Sequence, residues 1–217
     1  MFKKEKEQQL NGRKYIKWSE AQHLLESGDV LLFRGKGIIS FLIQRYTGGI
    51  HSHAAILARR NGDFMCVEFR EFKGSRSVTL ESQFKDNPTS IDVFRPLKKV
   101  NYDVVEDGVV KNVEKVYTKD VANAVSKDII SWTGQEYGWK NIWSMFKRYI
   151  PGLRLFSQNL KDDEIAEAMV CSTAVTVAIR RNYMDPVPYM ADDRVSPAGL
   201  ARSPLLQYLF SIDGTEE

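Results

Sequence analysis

Short apolar runs separated by glycine and polar residues fill the first hundred positions of the chain, and this pattern predicts β-strands. The clearest case is a hairpin, in which apolar runs at 53–57 and 64–69 flank a turn containing Asn61-Gly62. Asn-Gly favours the two-residue turns of β-hairpins because both of its residues tolerate a positive φ. Further strands are predicted at 29–33, 77–80 and 91–94, with an additional exposed hairpin at 101–116.

Helical spacing of apolar residues dominates the second half of the chain. The predicted helices span 18–26, 38–46, 118–132, 139–149, 171–181 and 205–210. Ser19 and Thr118 stand where N-caps are expected. Because strands come first and most helices follow, the order indicates an α+β domain rather than a doubly wound parallel sheet. We expect a polar N-terminal arm at 1–17 and a single domain at 18–217.

The composition is typical of an ordinary folded domain. Of 217 residues, 43% are hydrophobic and 27% are charged, which disfavours a disordered chain or a coiled-coil rod. We find no apolar run of about 18 residues, and no apolar stretch follows the charged N-terminus as in a secretory signal. A cytoplasmic location is therefore expected. The net charge of +3, from 31 basic and 28 acidic residues, is too small to indicate nucleic-acid binding.

The two cysteines stand in different patterns. They cannot form a disulfide framework, and they show no paired zinc-ligand spacing, so neither a metal nor a cofactor is expected. Cys66 falls inside a predicted strand, as a buried small hydrophobe does. Cys171 precedes Ser172-Thr173 at the expected start of a helix, where the macrodipole and free N–H groups stabilise a thiolate. This pattern is compatible with either a nucleophile or a buried core cysteine.

A nucleophilic cysteine requires a base, and the chain contains three histidines. His23 lies on an amphipathic helix and is expected to be structural or exposed. His53 begins an apolar strand, so regular backbone would hold it rigidly, as a base requires. His51 and His53 could instead be two metal ligands on one strand face, but no third ligand is evident.

The hairpin arithmetic supplies a partner for His53. A two-residue turn at Asn61-Gly62 pairs residues whose numbers sum to 123, which places Glu68 diagonal to His53. A turn one residue earlier would place Glu68 directly opposite. Either register puts the imidazole and the carboxylate on one face of the sheet. Glu68 is therefore a candidate to orient the second ring nitrogen.

Taken in order, these segments resemble the permuted papain-like amidases, a circularly permuted branch of the NlpC-type thiol peptidases with kinship to the lecithin:retinol acyltransferase group. The matching segments are Gly28-Asp29-Val30-Leu31-Leu32-Phe33-Arg34-Gly35, Ser52-His53-Ala54-Ala55-Ile56, Val67-Glu68, Gly134-Gln135-Glu136-Tyr137-Gly138-Trp139, Cys171-Ser172 and Ser196-Pro197-Ala198-Gly199-Leu200. They cover residues 28–205. The pair Ala54-Ala55 and the residue Thr173 depart from the family pattern, which bears on the substrate more than on the triad.

The resemblance implies a papain-like fold, with a small antiparallel sheet or half-barrel packed against helices. It implies Cys171 as nucleophile, His53 as base and Glu68 as the orienting residue. Tyr137 is then expected near the oxyanion or the substrate.

The expected function is a cysteine hydrolase of the amidase or peptidase type, acting on an amide in a peptide, a cell-wall fragment or a lipid without a cofactor. One alternative is a membrane-associated thiol acyltransferase or lipase-type enzyme. Another is a catalytically idle fold retained as a structural or virion protein. Aromatic and basic residues alternate at helical spacing over 139–156, which fits either core packing or peripheral membrane contact.

Overall fold

The computed structural model of the protein describes residues 10–70, 74–86, 90–106, 109–134 and 171–212. Within these ranges, seven strands form one sheet in the order β1-β9-β6-β2-β3-β4-β5, and β7 and β8 form a separate ribbon. The strands are β1 Tyr15–Ile16, β2 Val30–Phe33, β3 His53–Arg60, β4 Asp63–Arg70, β5 Gly74–Thr79, β6 Ile91–Pro96, β7 Lys99–Glu106, β8 Val109–Val116 and β9 Leu206–Ile212.

Helices pack against this sheet, so the α+β class is confirmed. They are α1 Trp18–Ala21, α2 Ile38–Thr47, α3 Leu80–Asp86, α4 Lys119–Ser131, α5 Cys171–Asn182 and α6 Pro197–Ala201, with a 3₁₀ turn at Asp192–Arg194. Helices α4 and α5 contact each other, and both contact β3. No helix in the described part of the chain is both long and apolar enough to cross a bilayer.

The β3–β4 hairpin has the register that the Asn61-Gly62 turn predicts. Asn61 has a φ of 53° and Gly62 a φ of 94°, both in the left-handed region that such a turn requires. Ala55 pairs with Glu68, and Arg60 pairs with Asp63. The sum of 123 is confirmed, and the register one residue earlier is wrong.

Two apolar layers cover the two faces of the sheet. Side chains alternate along β3, so Ala54 and Ile56 pack in the layer that contains α4 and α5. Ala55 and Leu57 point the other way and pack with Cys66 in the second layer. Cys66 is fully buried there, as its position inside a strand predicts, and burial raises the pKa of its thiol.

The helix predicted at 205–210 is wrong, because this stretch is strand β9. It pairs antiparallel with β6 along one edge and parallel with β1 along the other. Phe210 and Ile212 are buried in the second apolar layer. A short run of mixed apolar residues fits either period, and here pairing with strands distant in sequence decides the structure.

The sheet is mixed because one strand pair is parallel, whereas the expectation was a small antiparallel sheet or half-barrel. Strand β1 runs parallel to β9, with Tyr15 opposite Ser211 and Ile16 opposite Ile212. The last residues of the predicted arm at 1–17, Tyr15 and Ile16, therefore form an edge strand of the sheet. A two-residue strand produces no periodic pattern that could reveal it in the sequence.

Helix α1 is shorter than the predicted helix at 18–26, and Lys17 rather than Ser19 precedes its first turn. The chain beyond α1 is held by Asp29, whose carboxylate accepts the N–H of Glu26 at 2.8 Å and Nε of Arg95 at 2.6 Å. This distant ion pair favours a turn over further helix. The cap predicted at Thr118 is confirmed, because its hydroxyl accepts the N–H of Val121 at 3.2 Å.

The remaining helix predictions divide into two groups. Helices α2, α4 and α5 confirm those at 38–46, 118–132 and 171–181 to within a few residues. The helix predicted at 139–149 lies outside the described residues.

We predict that Gly28→Ala destabilises the fold. Gly28 has a φ of 83°, and an added Cβ would clash with Oη of Tyr117 and lie 3.0 Å from Cα of Ala122. A left-handed non-glycine residue costs about 1–3 kcal/mol before any clash is counted. Chemical denaturation would measure the loss of unfolding free energy. Gly37→Ala is the matched control, because Gly37 has a φ of −74° and open space around it. Equal stability of the two variants would contradict the prediction.

Candidate functional site

His53 and Glu68 form a short, buried pair across the hairpin. His53 is the first residue of β3, and its Nε2 lies 2.6 Å from Oε2 of Glu68 on β4. The His53 side chain is 11% exposed, and that of Glu68 is fully buried. The diagonal placement on one face is the one that the register predicts. At this distance the pair is a charge-assisted hydrogen bond, which is stronger than a neutral one.

The other oxygen of Glu68 binds arginine. Arg76 lies directly opposite Glu68 on β5 and donates from Nε at 2.8 Å and from Nη2 at 2.6 Å to Oε1. Nη1 of Arg70 lies 3.6 Å from the same oxygen. Burial alone would raise the pKa of Glu68, but the bond to His53 and the positive charges of His53, Arg70 and Arg76 lower it to about 2. The carboxylate is therefore ionised at any physiological pH.

Cys171 interacts with the same imidazole and raises its pKa. Its side chain is nearly buried, and it is the first residue of the described helix α5. Burial by itself lowers the pKa of His53, but charge and hydrogen-bonding interactions with Cys171, together with those of Glu68, raise it to about 10. Nε2 is bonded to Glu68. Nδ1 is buried, and no described residue reaches it with the distance and angle of a full hydrogen bond. Nδ1 is thus the ring atom left for the sulfur.

His51 belongs to a second histidine–carboxylate pair. Its Nε2 lies 2.7 Å from Oδ2 of Asp92 on β6, and both side chains are almost fully buried. Burial lowers the pKa of His51, and the charges of Arg13 and Arg34 lower it further against the opposing effect of Asp92. We therefore assign His51 as a neutral imidazole that donates to Asp92. His53 also bonds to a carboxylate, but its ring is positively charged.

Asp92 connects four parts of the chain. In addition to His51, its carboxylate accepts the hydroxyl of Ser211 on β9 at 2.6 Å. Arg13 lies 3.2 Å away and Arg34 lies 3.1 Å away, measured from guanidinium nitrogen to carboxylate oxygen. Burial raises the pKa of Asp92, but the bond to His51 and the surrounding positive charges lower it below the usual range. This cluster, the Asp92 cluster, ties the N-terminal segment to the centre of the sheet.

Ser172 and Thr173 next to the cysteine hold the neighbouring loop. The hydroxyl of Ser172 donates to the carbonyl of Val195 at 2.7 Å, and that of Thr173 donates to the carbonyl of Asp192 at 3.0 Å. Ser196, the residue after Val195, caps α6 by accepting the N–H of Gly199 at 3.0 Å. The segments around Cys171 and 196–200, which the sequence resemblance picks out separately, are therefore mechanically connected.

The other two histidines are not brought together with this group. His23 is exposed after α1. His51 and His53 bind different carboxylates, so they do not form the two-histidine metal site that was the alternative. Tyr137 and the segment 139–156 lie outside the described residues.

The fold resembles a solved structure. The chain matches the metalloprotein yiiX (DUF1105) from Escherichia coli O157:H7 with a TM-score of 0.55 and 14% sequence identity, over 85% of this chain and 96% of that one. At this level of identity the likeness shows a shared fold alone. No family model matches the chain, and no curated protein matches it.

In the part of the chain that the structure describes, no three side chains of His, Cys, Asp or Glu form a group that could hold a metal ion.

We predict that Glu68 makes stability depend on pH at the acid end. Its pKa is lowered in the folded protein, so its contribution is complete above the ordinary value of 4.5 and is lost as the pH falls towards about 2. Urea unfolding across this window should show a shallower pH dependence in Glu68→Gln than in the wild type. Asp63→Asn, at an exposed turn carboxylate, should match the wild type. Identical slopes for wild type and Glu68→Gln would contradict the prediction.

Proposed function

We propose that the protein is a cysteine hydrolase of the amidase or peptidase type with a permuted papain-like fold. The bond to be cleaved is an amide in a peptide, a cell-wall fragment or a lipid. The observation that carries the proposal is the 2.6 Å bond between His53 and Glu68, on an imidazole that also interacts with Cys171. A thiol, a base and an orienting carboxylate are the parts that thiol hydrolysis requires.

The protonation states support thiolate chemistry. Because the pKa of His53 is raised to about 10, the ring is an imidazolium near neutral pH, and a positive imidazolium is the neighbour that a nucleophilic cysteine requires. Glu68 accepts the Nε2–H and keeps its negative charge, since Arg76 stabilises that charge from the other side. Proton exchange with the reacting groups is therefore assigned to Nδ1.

The proposed reaction has two halves. The sulfur of Cys171 attacks the carbonyl carbon of the substrate, and the electron pair of the carbonyl moves onto its oxygen, where the backbone N–H of Cys171 can stabilise it. The C–N bond then breaks as His53 gives its proton to the leaving amine, which leaves a thioester on Cys171. Neutral His53 next removes a proton from water, which attacks the thioester and releases the carboxylic acid.

We predict that iodoacetamide modifies Cys171 and leaves Cys66 intact in the native protein. Cys66 is fully buried inside β4 and its thiol pKa is raised by burial, whereas Cys171 interacts with an imidazolium. Peptide mass spectrometry after brief labelling near neutral pH would identify the modified residue. The control is Cys171→Ser, which should remain unlabelled until the protein is denatured. Preferential labelling of Cys66 would overturn the assignment of the nucleophile.

We predict that His53→Ala lowers the labelling rate of Cys171 by about 10²-fold or more, the scale of a lost acid–base group. His23→Ala should have no effect, because His23 is exposed and lies outside the group. His51→Ala should retain much of the rate, since His51 bonds to Asp92 instead. A larger loss in His51→Ala than in His53→Ala would assign the base to the other histidine.

We predict that Glu68→Gln lowers turnover strongly while the protein stays folded. A neutral amide of the same shape can present the wrong group to the ring, and it no longer stabilises the imidazolium. The pH–rate profile on an amide or ester substrate should lose rate and shift its limb for His53 to lower pH. Asp63→Asn is the matched control, and its pH–rate profile should equal that of the wild type. A Glu68→Gln profile identical to the wild type would mean that Glu68 has only a role in the sheet.

A further inference from the structure

Helix α2 exposes apolar residues and buries a polar one. Ile38 is 82% exposed and Phe41 is 55% exposed, while Gln44 is 3% exposed. The amide of Gln44 donates to the carbonyl of Gly35 at 2.9 Å, inside the protein. A water-facing surface helix normally has the opposite arrangement, with its apolar stripe turned to the core.

The outward face is fixed in place by contacts on the other side of α2. Ile38, Phe41 and Arg45 follow one another at helical spacing, so they share a face. At the C-terminal end, a guanidinium nitrogen of Arg202 donates to the carbonyl of Thr47 at 3.2 Å. Gly49 approaches Ala198 of α6 so closely that a Cβ there would clash. The apolar residues are therefore presented by an anchored helix rather than by a loose loop.

Positive charge accompanies this apolar face. Lys36 and Arg45 are both exposed at or beside α2. Apolar residues flanked by exposed cations are the arrangement by which a helix lies in the interface of an anionic bilayer.

The face also lies at the end of the sheet that carries the base. Helix α2 is the excursion between β2 and β3, and Phe33 at the end of β2 pairs with His53 at the start of β3. A surface resting on α2 would therefore meet the protein at the His53 end of the strands.

We propose that the face formed by Lys36, Ile38, Phe41 and Arg45, the α2 face, rests on the surface of an anionic lipid bilayer. A ten-residue helix is about 15 Å long, so it would lie in the plane of the interface. The charges disfavour a second copy as the cover, because it would bring one basic face against another.

The test is co-sedimentation of the full chain with lipid vesicles. The wild type should bind vesicles of equimolar phosphatidylglycerol and phosphatidylcholine, bind phosphatidylcholine alone weakly, and be released by salt. The affinity of the double variant Ile38→Asp/Phe41→Asp for the anionic vesicles should be lower than that of the wild type by about tenfold or more. The variant Lys36→Gln/Arg45→Gln should lose about fivefold for each basic residue removed.

The matched control is Val109→Asp/Val110→Asp, which changes two exposed apolar residues on the β7–β8 ribbon and should bind like the wild type. Absence of wild-type binding, or an equal loss in this control, would overturn the proposal. So would a wild-type dimer that Ile38→Asp/Phe41→Asp converts to monomer without any vesicle binding, because the face would then belong to a second copy.

Two further measurements keep the outcome clear. A large fall in the melting temperature of Ile38→Asp/Phe41→Asp, with no vesicle binding by the wild type, would assign the face to packing within the chain. Binding by Cys171→Ser should equal that of the wild type, because the α2 face does not depend on the proposed thiol chemistry. Failure of the hydrolase proposal and failure of the bilayer proposal are therefore distinguishable.

Discussion

The buried carboxylate of Glu68 is the constraint around which the proposed site is arranged. An ionised carboxylate without solvent is costly unless its oxygens are bonded and its charge is balanced. Here Oε2 binds His53 on β3 and Oε1 binds Arg76 on β5, so three adjacent strands must keep their register for the charge to be tolerated. The same requirement fixes the imidazole: the nitrogen that Glu68 occupies determines which nitrogen can face the sulfur of Cys171.

The two histidine–carboxylate pairs show how a third group decides the state of an imidazole. His51 and His53 are two residues apart, and each binds a buried carboxylate at 2.7 Å or 2.6 Å. Arg13 and Arg34 surround the first pair, and burial lowers the pKa of His51. At the second pair, Cys171 adds its interaction to that of Glu68, and the pKa of His53 rises. His51 is therefore suited to a structural role as a neutral hydrogen-bond partner, and His53 is suited to carry a proton.

The sequence predicts the parts of the fold and the site that depend on local pattern. Asn61-Gly62 gives the hairpin register, and the register brings Glu68 to His53. Arg76 could not be found in this way, because the sequence between β4 and β5 contains no two-residue turn signal like Asn61-Gly62 that would set their register. In the Asp92 cluster, Asp92 bonds to a residue 119 positions away, and no periodic signal connects the members. Strand β9 was missed for the same reason, since partners distant in the sequence decide its conformation.

The parallel pairing of β1 and β9 brings two segments from opposite ends of the described chain side by side. Tyr15 and Ile16 lie next to Ser211 and Ile212, and Arg13 reaches Asp92, to which Ser211 also bonds. A short connection could link these two points without disturbing the sheet, and a new opening could then be made at an exposed turn elsewhere. The order of the segments along the gene is thus separable from their order in space, which is the geometric condition for one architecture to be encoded in rearranged order.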